Sequence, residues 1–198
     1  MKKIFKTFAS SILALVLVAN SYICLYSKAY FTKQIPNYPV YLQTSNECWA
    51  YSILSMANSV YGGYTINDVI NAYNASNFGS YNWDGAYDFQ AYNTIEYIFS
   101  NYSPSNDSRY LTSNEIKLEI NSNYPVYISG DRVNSSGGHA VALMGYKSID
   151  ASSDVSIIYY MNSATNSIMY NGYVDGITNN TFHTNNSQVY YWETSIRL

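Results

Sequence analysis

Cysteine is nearly absent, and with it any disulfide framework: the 198-residue chain has two. One of them, Cys24, falls in an N-terminal stretch with the features of an export leader. "MKKIFKTFASSILALVLVANSYICLYSKAY" carries Lys2, Lys3 and Lys6, an apolar core from about Ile12 to Val18, then Ser27-Lys28-Ala29 with small residues where a signal peptidase reads. That core falls short of the roughly 20 apolar residues that span a membrane, so no stable membrane insertion is expected once the leader is gone. Tyr22 and Ile23 are the wrong residues to precede a lipidated Cys24. Cleavage is expected near Ala29, with residues 30–198 secreted as one domain; 198 less 29 leaves 169 residues, enough for one core. Cys48 then has no partner within the chain, and stability must rest on packing and hydrogen bonds.

Charge is also scarce, at 12% of residues. Four of the ten basic residues lie in the leader and none of the thirteen acidic ones, which leaves six against thirteen and a net charge of −7. Such a balance argues against nucleic acid or an anionic membrane surface as partner. Internal repeats and long linkers are absent as well, and no cofactor or metal is expected. What is abundant is tyrosine, 24 residues, so the surface must consist largely of Asn, Ser, Thr and Tyr.

The spacing predicts four helices followed by strands. From Cys48, the positions Ala50, Ile53, Leu54, Ala57 and Val60 share one helical face, and Gly62-Gly63 ends the helix. "TINDVINAYNA" reads as a second helix capped by Thr65, with Ile66, Val69, Ile70 and Tyr73 inward, and "GAYDFQAYNTIEYIFSNY" as a third. Thr112 and Glu115 form a capping box for a fourth. After Pro125, "PVYIS", "HAVALMGY", "VSIIYYM", "IMYNGYV" and "VYYWETSIRL" are short, β-branched or aromatic, and bounded by turn residues. "NWDGAY" and "ITNNTFHTNNS" read as surface loops. Helices first and antiparallel strands second is an α+β pattern.

A thiol is a useful nucleophile only as thiolate. Cys48 stands where the first helix begins, so the helix dipole and a nearby imidazolium are expected to hold it as thiolate from mildly acidic to neutral pH. A lone cysteine also suits a plain apolar role, and its neighbours decide between the two. Gln43, just upstream, is placed to donate to an oxyanion beside the nucleophile's own amide. The base must come from the two histidines. His139 follows Gly137-Gly138 at the head of a strand, which suits a general base; His183 lies in a polar stretch. Asn162, at the end of "VSIIYYM", is placed to orient the imidazole, with Asn166 as its rival.

Together, Gln43, "CWA" at Cys48–Ala50, Gly-Gly-His139 leading into a strand and "GY", and an Asn closing a later strand resemble a papain-like cysteine peptidase. The likeness is to the compact bacterial branch of staphopain-type enzymes, bacteriocin-leader peptidases and effector peptidases, over about Ile35 to Tyr173. It implies a papain-like fold, a helical half packed against an antiparallel β half with the active site between. It also implies Cys48 as nucleophile, His139 as acid/base, Gln43 as oxyanion donor and Asn162 as orienting residue, with Trp49 packing the helix start. A protein or peptide would be the substrate, and a proteinaceous inhibitor is an allowed partner.

Three features depart from that pattern. Cys48 to His139 spans only 91 residues, the stretch "MNSAT" lacks the proline or tryptophan often beside the orienting residue, and the 18 residues from Tyr30 to Glu47 leave no room for a folded inhibitory propeptide. The same Cys-His pair would serve a cell-wall amidase or a transglutaminase-like acyltransferase, and a decayed peptidase fold would serve as a binding domain.

Overall fold

From His139 to Tyr146 every residue is buried. A strand whose residues alternate toward neither face must be covered on both sides, which places it at the centre of the molecule. The computed structural model describes residues 30–77, 79–81, 85–177, 180–184 and 188–198; the leader expected at residues 1–29 lies outside them. Its strands are β1 (Phe31–Gln34), β2 (Ser105–Asp107), β3 (Val126–Asp131), β4 (Gly138–Ser148), β5 (Val155–Asn162), β6 (Ser167–Gly172), β7 (Thr181–His183), β8 (Val189–Tyr191) and β9 (Thr194–Arg197). Its helices are α1 (Cys48–Val60), α2 (Ile66–Ser76), α3 (Asp88–Ile98) and α4 (Ser113–Asn121). Phe31–Leu198 forms one unit. No described helix is long and apolar enough to cross a membrane.

The main sheet is antiparallel and seven-stranded, in the order β2-β9-β3-β4-β5-β6, with β1 beside β4. β3 and β1 share one edge of β4: Val126 opposes Leu143 and Gly130 opposes His139, while Phe31 opposes Ser148 and Gln34 opposes Gly145. Helix α1 packs on β3, β4 and β5. It buries Trp49, Ala50, Ile53, Leu54, Met56 and Ala57, and also Ser52 and Ser55. A helix buried on so much of its circumference is a core element rather than a surface one. Val60, expected on its inner face, is half-buried, as are Ile66 and Ile70 on α2.

The local stop and start signals act as the sequence predicts. Thr65 caps α2 with a reciprocal bond from Asp68, and Thr112 does the same for α4 with Glu115. Gly62 and Gly63, after α1, hold φ of 73° and 81°, conformations that side chains disfavour.

Helices and strands are less segregated than expected. β1 precedes every described helix and β2 lies between α3 and α4, yet both join the main sheet. Their partners are distant in sequence (β4 and β9), so short polar stretches such as Ser105–Asp107 carry no local strand signal. "VYYWETSIRL" divides at Trp192-Glu193: β8 pairs with β7 in a separate two-stranded sheet, and β9 pairs with β3. "ITNNTFHTNNS", read as a surface loop, contains β7, whose Phe182 is fully buried and stacks on Tyr190 at 5.5 Å. Of "NWDGAY", residues 82–84 lie outside the described residues, and Tyr87 is exposed.

Candidate active site

Cys48 is the first residue of α1, and the preceding Glu47 is buried with its carboxylate accepting from Thr44 Oγ1 at 3.0 Å. Cys48 is half-buried at the wall of a cleft of about 1000 Å³ that Gln43, His139, Ala140 and Tyr190 also line. α1 lies against β4, so the helix start and the strand start meet.

His139 is 7% exposed, and its ring packs against Tyr190 and Phe182 at centroid distances of 5.2 and 6.3 Å. Its Nε2 lies 2.9 Å from Oδ1 of Asn162, the last residue of β5, which is fully buried. The amide's orientation is decided by its other bonds. The backbone N–H of Ala164 donates to the same Oδ1 at 3.1 Å, and Nδ2 faces Met169 Sδ and the carbonyl of His183. An oxygen that already accepts from an N–H can only accept from the imidazole, so Nε2 carries the ring's proton and the neutral ring keeps Nδ1 as its acceptor. Asn166, the rival, sits in the β5–β6 turn with φ of 50°. His183 touches this network through its backbone, giving its carbonyl to Tyr160 and to Asn162.

Gln43 is tied to the same strand end. Its backbone N–H donates to the carbonyl of Ser163 at 3.0 Å, and its Oε1 accepts from the Ser163 hydroxyl at 2.7 Å. Nε2 donates one proton to Ser45 O at 2.7 Å, and an amide nitrogen has a second to give. The structure therefore brings Gln43, Cys48 and His139 to one cleft and sets Asn162 behind His139. Trp49 packs as expected, its indole N–H on Tyr81 and its ring beside Tyr73.

The electrostatics run against one expectation. The amides of Ala140, Trp49 and Cys48 itself favour the thiolate, but burial outweighs them and pushes the Cys48 thiol above its ordinary value. Burial also pushes His139 below the ordinary imidazole value, partly offset by its bond to Asn162. Both directions favour the uncharged forms, a thiol and a neutral imidazole, over the thiolate and imidazolium expected from the helix start alone. Reading the helix start alone counts the amides and the dipole; it misses the desolvation imposed by β4.

Sequence reasoning also missed Ser163, Ala164 and the aromatic seat of His139. In the cleft lining it also missed Asp88, which accepts from Ser129 and Thr194 hydroxyls at 2.6 Å each. The run "NSA" after the strand was the available signal for the first two. Among the described residues, no group of three His, Cys, Asp or Glu is placed to hold a metal ion. A half-buried cysteine, an imidazole left with Nδ1 as acceptor and an amide fixing its tautomer are groups that can support nucleophilic acyl transfer. No known protein-family model matches the chain, and no curated protein matches it.

Proposed function

We propose that this protein is a secreted cysteine endopeptidase of the papain-like kind, its helices forming one side of the cleft and its β-sheet the other. The observation that carries the reading is the tautomer lock on His139: Asn162 Oδ1 accepts a hydrogen bond from Nε2–H and leaves Nδ1 to serve the one cysteine of the described residues. A structural histidine does not require a place in the lining of a cleft that also holds a cysteine.

In this mechanism His139 Nδ1 takes the thiol proton as Cys48 Sγ attacks the carbonyl carbon of the scissile amide. Concerted transfer suits two groups that rest neutral. The oxyanion receives the Cys48 backbone N–H and the remaining Nε2 proton of Gln43. As the C–N bond breaks, imidazolium returns its proton to the leaving amine, and a thioester remains on Cys48. Water then attacks the thioester, giving its proton to His139, and the tetrahedral intermediate collapses to a carboxylic acid and free thiol.

The two histidines test this assignment. His139→Ala is expected to fold, by circular dichroism and thermal melt, while losing hydrolysis of a peptide substrate by at least about 10³-fold, the scale on which a catalytic base is missed. His183→Ala is expected to keep activity within a few-fold. The reverse pattern would remove His139 from the mechanism.

A further inference from the structure

The strand end that holds His139 through Asn162 holds Gln43 through the next residue. Ser163 is fully buried, and it grips Gln43 twice, by the 2.7 Å hydroxyl bond to Oε1 and by the 3.0 Å carbonyl bond to the backbone N–H. The two residues are 120 apart in sequence. An amide can present either end to a cleft, and only its fixed neighbours decide which. Here Ser45 O, which can only accept, draws Nε2, and the Ser163 hydroxyl is left to donate to Oε1. Rotating the amide would set its oxygen against the Ser45 carbonyl oxygen, two acceptors with no proton between them.

We propose that Ser163 is a positioning residue for Gln43, so that the Asn162-Ser163 pair at the end of β5 sets both the base and the side-chain oxyanion donor. This inference rests on the peptidase reading. It separates the two neighbours by what each controls. Asn162 bonds the imidazole and so governs its proton affinity; Ser163 bonds only the donor, whose contribution is made in the transition state. A donor displaced by even a fraction of an ångström loses much of its value there, while ground-state binding changes little.

The test is a double-variant cycle on residues 30–198, with kcat, KM and the pH profile measured for Ser163→Ala, Gln43→Ala and both together. Gln43→Ala should lower kcat by about 10²–10³. Ser163→Ala should lower kcat by about tenfold with KM within about twofold, the smaller loss expected when a donor is misplaced rather than removed. Its pH limbs should stay in place. In the double variant the loss should match that of Gln43→Ala alone, because one residue acts through the other. Ser163→Cys, which keeps a weak donor in nearly the same volume, should fall between and guards against a folding defect in the alanine variant. Additive losses, a displaced pH limb, or a wild-type kcat in Ser163→Ala would each overturn the role of Ser163. Absence of Cys48-dependent hydrolysis in the unsubstituted protein would instead overturn the peptidase reading, and this inference with it.

Discussion

A single hydrogen bond sets the chemistry at the residue scale. Asn162 Oδ1 accepts from His139 Nε2, and that bond favours the protonated ring, whereas burial favours the neutral one and dominates. The folded His139 therefore titrates below its ordinary value of about 6.5. A base works only when unprotonated, so kcat/KM should rise as pH increases through that lowered value. Removing the bond removes the contribution that raises it. Asn162→Ala is expected to move the acid limb of the profile to still lower pH and to reduce kcat by about 10²-fold as the ring loses its orientation. Asn166→Ala should leave the limb where it is. A limb unmoved by Asn162→Ala but shifted by Asn166→Ala would transfer the role. The pair of asparagines could not be separated by spacing; Asn162 is distinguished by the Ala164 N–H, a turn contact visible only once β5 and β6 are paired.

Local signals suffice at the element scale for helices and fail for several strands. The capping boxes at Thr65 and Thr112 are built from residues three apart, so they can be read directly. Phe182 cannot: it is buried in a cluster with Tyr190, His139 and Tyr160, all of which come from other elements. Gly130 is another such position. A β-carbon there would collide with the carbonyl oxygen of Tyr191, a close approach of β3 and β8 that no neighbouring residue announces. The α4 cap is further drawn into an ion-pair group. Glu115 accepts from both guanidinium nitrogens of Arg109 at 2.6 and 2.9 Å and from Thr112 N at 2.7 Å. These bonds, the one to Arg109 first, lower its carboxyl from 4.5 to about 2. A carboxyl lowered by folding adds stability that is complete above about pH 4.5 and lost as pH falls toward 2. Glu115→Gln should thus lower Tm at pH 7 by a few degrees and flatten the acid loss of Tm between pH 4.5 and 2, measured by thermal melts across pH. An unchanged acid slope would show that the contact contributes nothing beyond its geometry.

At the largest scale the described residues form a seven-stranded antiparallel sheet, a two-stranded one and four helices, with α1 packed on the larger sheet so that a helix start and a strand start share one cleft. The α+β class was legible because the helical and alternating periods lie in separate parts of the chain. The joining of β1 and β2 to the sheet was not, since each pairs with a strand far from it in sequence. The candidate site was legible as residue types: one thiol, two histidines and an upstream glutamine are few enough to nominate. Its electrostatics were not, because desolvation is a property of the packed molecule.

The most direct measurement is peptide release from casein by purified residues 30–198, followed alongside mass spectrometry of Cys48 during iodoacetamide treatment, with peptidoglycan as a parallel substrate. The account predicts casein cleavage without a lag, loss of activity in step with Cys48 modification, and a Cys48→Ala protein that melts like the parent but releases nothing. Cleavage that survives complete alkylation, or turnover of peptidoglycan with none of casein, would contradict it.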